Sequence, residues 1–224
     1  MRWAPVPGAD ITGNGRPDVI VYEWTGGAHC SFIARVFELG DRCEKLATID
    51  GVHGTPAFVD VDRDSVPEVV IYDWSFAYWP ASFASSPAPK VILRWNGSAY
   101  VPDAKLMETP APSLAELKSR AEGIQGDDDW NDRVFNSGKY SRAFIPEGLF
   151  QFALDLIYGG HEKLGREFIE TAWTPKYPLD RELLAECDAL LAKSPYWQVI
   201  KEQRRSGKNV EAQTTGLTQK TGAE

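Results

Sequence analysis

Three observations predict an α+β fold with N-terminal antiparallel β repeats followed by a C-terminal helical region. An Asp-rich loop that runs into an apolar strand occurs twice, and duplication of this kind outranks any single motif as a clue to fold. Short segments rich in Val, Ile and aromatic residues, divided by Gly, Asp and Pro, fill the chain as far as residue 108. Amphipathic helical patterns take over from residue 113 to 205.

The first loop, Asp10-Ile11-Thr12-Gly13-Asn14-Gly15-Arg16-Pro17-Asp18, precedes Val19-Ile20-Val21-Tyr22. The second, Asp60-Val61-Asp62-Arg63-Asp64-Ser65-Val66-Pro67-Glu68, precedes Val69-Val70-Ile71-Tyr72. Similarity continues to Glu23-Trp24 and Asp73-Trp74. Oxygen-bearing side chains at alternate positions around a tight turn suit Ca2+, a hard cation that takes several oxygen ligands in flexible geometry. The candidate ligands of the first copy are Asp10, Thr12, Asn14, the carbonyl of Arg16, and Asp18. Those of the second are Asp60, Asp62, Asp64, the carbonyl of Val66, and Glu68. Position twelve, where an EF-hand carries Glu before a helix, is Val21 or Ile71 inside a strand. The alternative reading of both loops is an Asx-type turn without metal.

With loop, closing acid and following strand all matching twice, residues 3–101 resemble the FG-GAP or VCBS type repeats that form blades of integrin-α-like β-propellers. The resemblance implies calcium held between two strands of a blade, at Asp10, Asn14 and Asp18 and at Asp60, Asp62, Asp64 and Glu68. It also exposes departures. Thr12 supplies only a neutral oxygen, and Arg63 and Ser65 stand where the family has Gly. Losing Gly at a turn that favours positive φ costs about 1 kcal/mol, and Arg63 adds a cation near the expected ion.

Strands are expected at Val19–Trp24, Phe32–Leu39, Leu46–Asp50, Pro56–Val59, Val69–Trp74, Val91–Trp95 and Ala99–Val101. Asn96-Gly97 marks a hairpin between the last two. A propeller closes with at least about four blades, so two units need a helical cover, assembly of several chains, or further sequence upstream. After the linker-like Thr109-Pro110-Ala111-Pro112, Ser113 and Glu116 form a capping-box start. Pro146 opens a helix that is apolar nearly all round and hence buried. Helices are also expected over His161–Trp173 and Asp180–Ala192, and after Ser194-Pro195. Residues 206–224 have few apolar side chains and are expected to be a disordered tail.

Composition bounds the function. The chain has 224 residues, 43% of them hydrophobic, eight tryptophans and a net charge of −8, which describes a globular protein without the basic stripe of a nucleic-acid binder. No run is apolar and long enough to span a membrane. Residues 1–7 are too short and Pro-rich for a secretory signal, so an export signal is expected upstream. Cys30 and Cys43 either pair across the hairpin near Gly40-Asp41 or stay apart, and Cys187 reads as a small core residue.

Other candidate sites have plainer readings beside them. His29 and His53 lie in turns without a third ligand, and Asp127-Asp128-Asp129 reads as a solvated loop. The aromatic segment 74–83 could stack on a sugar, or fold over the core and dock the helical half. Catalytic signatures such as Gly-x-Ser-x-Gly or His-Glu-x-x-His are absent from the sequence. The leading expectation is a non-enzymatic, calcium-binding β-repeat protein acting as a binding or scaffold module. It would work in the periplasm or outside the cell, where weak calcium sites with dissociation constants on the order of 10⁻⁴ to 10⁻³ M are filled. A protein or carbohydrate partner, or self-association, fits this role. The alternatives are a carbohydrate-binding protein using Trp74, Tyr78 and Trp79, and a hydrolase with its site between the β and α halves, using Glu23 and Asp73.

Overall fold

A computed structural model describes residues 7–26, 32–130, 142 and 145–218, with side chains as far as residue 207 except that of Asp129. Its β half consists of two antiparallel sheets. The first runs β1 (Asp18–Trp24), β2 (Phe32–Glu38), β3 (Glu44–Asp50). The second runs β4 (Ala57–Val59), β5 (Glu68–Tyr72), β6 (Lys90–Trp95), β7 (Tyr100–Pro102). Each sheet is a meander in chain order, although residues 73–89, with two 3₁₀ turns, lie between β5 and β6.

The duplicated loops occupy the same place in both units. Before the second loop, Val59 pairs with Glu68. Before the first, Gly8 N–H donates to Asp18 O at 2.8 Å and Asp18 N–H to Ala9 O at 2.9 Å, so residues 8 and 9 are the counterpart of β4. Beyond the loops the units diverge. β1 includes Trp24, whereas β5 stops at Tyr72, short of the expected Trp74. The cause is local: the Asp73 carboxylate accepts from Ser75 N–H at 2.9 Å and caps a 3₁₀ turn over Trp74–Phe76, which turns the chain out of the sheet.

The helical half contains α1 (Leu114–Gln125), α2 (Glu147–Tyr158), α3 (Glu162–Ala172), α4 (Arg181–Lys193) and α5 (Trp197–Thr218). Ser113 and Glu116 form the reciprocal capping box read from the sequence. Helix α2 buries Leu149, Phe150, Ala153, Leu154, Leu156, Ile157 and Tyr158, so it is the centre of the helical layer. A Cβ at Gly165 would lie 2.5 Å from Ala153 O; the absence of one lets α3 pack closely on α2. Where a disordered tail was expected from residue 206, α5 continues to Thr218. Extending a helix already nucleated on the buried Trp197 and Ile200 adds one hydrogen bond per residue fixed. Residues 219–224 lie outside the described ones.

The halves share one hydrophobic core. Trp79 meets Phe150 edge to face at 4.5 Å, and its Nε1 donates to Glu186 Oε2 at 3.1 Å. Asp73 and its partners add a buried polar junction. The Tyr158 hydroxyl donates to Asp73 Oδ2 at 2.6 Å, and the Ser194 hydroxyl donates to the same oxygen. Ser194 Oγ also accepts from Trp197 N–H at 2.9 Å, so one side chain caps α5 and anchors it to the β half.

Candidate metal centre

The two loops share most of their backbone-to-carboxylate hydrogen bonds. Asp10 Oδ1 accepts from Gly13 N–H at 2.7 Å and Asn14 N–H at 3.2 Å, and its Oδ2 from Gly15 N–H at 2.7 Å. Asp60 accepts from Asp64 N–H and Ser65 N–H, each at 3.1 Å. Arg16 and Val66, whose carbonyls complete the expected ligand sets, donate their N–H groups to Asn14 Oδ1 at 2.9 Å and Asp64 Oδ1 at 2.8 Å. The closing acids behave alike too: Asp18 Oδ2 accepts from Ile11 N–H, and Glu68 Oε2 from Val61 N–H, both at 2.9 Å.

Backbone conformation follows the same template despite the different residues. Gly13 and Gly15 have φ of 74° and 83°, while Arg63 and Ser65 adopt 68° and 75°. The turn therefore demands the left-handed region at both positions, and in the second copy non-Gly residues accept its cost of about 1–2 kcal/mol each.

Electrostatics separate the copies. In the first loop Asp18 is 1% exposed, and its Oδ1 is buried without a hydrogen-bond partner among the described residues. Burial pushes the Asp18 carboxyl above its usual value, against the hydrogen bonds from Ile11 and Thr12. Thr12 does not face outward as a free ligand: it is 7% exposed, and its hydroxyl donates to Asp18 Oδ2 at 3.2 Å. Glu38, across the strand pair from Asp18, reaches the loop instead. It accepts from Asn14 Nδ2 and Arg16 Nη1, each at 2.6 Å. These bonds, that from Arg16 foremost, hold its carboxyl below the usual range.

In the second loop Asp60, Asp62 and Glu68 bring carboxylate oxygens within 4.8 Å of one another. Arg94 stands over this group. Its Nη2 pairs with Asp62 Oδ2 and lies 3.4 Å from Glu68 Oε1, its Nη1 is 3.7 Å from Asp64 Oδ2, and its Nε is 3.0 Å from Asp103 Oδ2. The hydrogen bond from Arg94 lowers the Asp62 carboxyl, while burial raises that of Glu68. The loops abut: a Cβ on Gly13 would meet Val66 Cγ2 at 3.0 Å. The Tyr100 hydroxyl, from β7, donates to Ile11 O at 3.3 Å.

Sequence reasoning missed Glu38 and Arg94, because each enters from a neighbouring strand. Their signal was the repeat itself, had the second strands of the two units been aligned as the first strands were. The other candidates separate. Glu23 pairs with Arg35 on an exposed face, at 2.5 Å, whereas Asp73 is buried in the Tyr158–Ser194 junction, so these two acids belong to different networks. The aromatic segment divides: Phe76 and Trp79 enter the core, while Trp74 stacks on Phe83 at 5.4 Å beside Tyr78 and His53. Cys43 is an exposed free thiol and Cys187 a buried one. His29 and Cys30 lie outside the described residues. No described helix is long and apolar enough to cross a membrane.

No family model, curated protein or solved structure matches the chain.

Proposed function

We propose that the protein is a calcium-binding, non-enzymatic β-repeat module of the FG-GAP/VCBS kind, acting outside the cytoplasm as a binding or scaffold domain. The observation that carries this reading is the Asp18 carboxylate, buried with one oxygen unpartnered among the described residues. A buried, half-satisfied acid is costly, and a divalent cation shared with Asp10 and Asn14 would relieve it. Bound calcium would then brace the turn that precedes β1, and with it the edge where the two units meet. Thermal melts and calorimetry of the full chain, in chelator and in millimolar calcium, test this. Calcium should raise the melting temperature, because a ligand of the folded state alone stabilises it by mass action, and Asp10→Ala with Asp18→Ala should remove most of the effect. No heat and no shift would mean that the loops are Asx turns only.

A second reading, carbohydrate binding at residues 74–83, is favoured by one observation: Tyr78 is 61% exposed beside the Trp74–Phe83 stack, the kind of surface on which a sugar ring can lie. Titration with oligosaccharides while following tryptophan fluorescence tests it, with Tyr78→Ala as the control. A response that the variant retains in full would sink this reading.

A further inference from the structure

Glu38 and Arg94 hold the same register position in the two units. Asp18 pairs with Glu38, and Val69 pairs with Leu93, which sets Glu68 beside Arg94. Each side chain therefore projects from the neighbouring strand onto its own loop, but with opposite charge. We propose that the two loops have divided their roles: the first binds calcium with Glu38 as a ligand supplied from outside the loop, and the second is closed by Arg94, which occupies the carboxylates an ion would need and makes that loop independent of metal. This rests on the reading of the chain as a calcium module.

The charge pattern supports the division from both sides. At position three the first loop has Thr12, turned onto Asp18, where the second has the acid Asp62. Glu38 restores the missing carboxylate, with its side chain only 10% exposed and fixed by Asn14. Its other partner, Arg16, is 68% exposed at the rim, against 37% for Arg94 in the second loop, so water competes more for the first guanidinium. With Asp10 and the unpartnered oxygen of Asp18, the first loop and its facing strand thus supply three acids, two of them linked through Asn14, whose N–H donates to Asp10 and whose Nδ2 donates to Glu38. Calcium affinity rises with the number of charged ligands. In the second loop a guanidinium, always charged and planar, already bridges Asp62, Asp64 and Glu68. An ion would have to displace it and leave Arg94 with Asp103 alone.

Calorimetric titration of the chelator-stripped full chain with calcium chloride tests the proposal. The wild type should bind one ion. Asp60→Asn should leave that binding unchanged. Glu38→Gln should weaken it by about tenfold or more, the scale on which losing even a supporting partner lowers metal affinity. Arg94→Gln should bind two ions, and its melting temperature, lowered in chelator, should recover in calcium. Two ions in the wild type, or loss of a site in Asp60→Asn, would overturn the division and leave the calcium reading standing. Unchanged affinity in Glu38→Gln would remove that residue from the site. Absence of heat from both the wild type and Arg94→Gln would overturn both readings. Should Arg94→Gln fail to fold, the comparison of Asp60→Asn with the wild type still decides whether the second loop holds an ion.

Discussion

The hydroxyl of Tyr158, at the end of α2, donates to Asp73 at 2.6 Å across 85 positions of sequence, inside the junction between the β and α halves. A hydrogen bond to a charged group is worth about 1.5–3 kcal/mol. Tyr158→Phe should cost about that much, read as a lower midpoint in urea denaturation. A loss under about 0.5 kcal/mol, the range of neutral surface substitutions, would show that the junction is ornamental to stability.

Arg63 and Ser65 adopt the left-handed backbone that glycine occupies in the first loop. Arg63→Gly and Ser65→Gly should each relieve about 1–2 kcal/mol of strain, offset by about 0.5–1 kcal/mol from the greater freedom of glycine in the unfolded chain. The expected net gain is a rise in melting temperature of roughly 2–4 °C for each kcal/mol retained. A fall on either substitution would mean that the side chain contributes more than its backbone strain costs.

Burial raises the Asp18 carboxyl above its ordinary value of 3.8. In the absence of calcium the native state thus holds this proton more tightly than the unfolded chain does. The stability it contributes is complete below the unfolded value and is lost as pH rises through the folded one. In chelator, the stability of the wild type relative to Asp18→Asn should therefore fall as pH rises from about 4, measured by urea denaturation at a series of pH values. A difference that is flat or rises with pH contradicts the assignment.

Cys187, on the buried side of α4, has its thiol pushed up to about 12 by burial, and only the thiolate is nucleophilic. Under native conditions at pH 8, iodoacetamide should label Cys43 and spare Cys187, with the Cys187 peptide becoming labelled only in denaturant. Mass spectrometry of the digests reads this directly, and native labelling of Cys187 would show that α4 opens readily.

Much of the β half was legible because its information is local. Each loop carries its own turn chemistry from Asp10 to Asp18 or Asp60 to Glu68, and each following strand its own apolar run. The capping box at Ser113 and Glu116 and the all-round apolar surface of α2 were readable for the same reason. What the two loops do with charge was not, because Glu38 and Arg94 stand 20 or more positions away along the chain and reach the loops only through strand pairing. The same holds for Asp73, whose partners Tyr158 and Ser194 come from the helical half.

By itself, then, the amino-acid sequence determined the repeats, the turn geometry and the order of strands and helices, since propensity, periodicity and capping act over a few residues. Tertiary structure alone decided which carboxylates face an arginine, which stay buried without a full set of partners, and which polar groups join the two halves. Those outcomes depend on register and on packing between distant segments, which bring a charge from a facing strand against carboxylates whose own loop does not encode it.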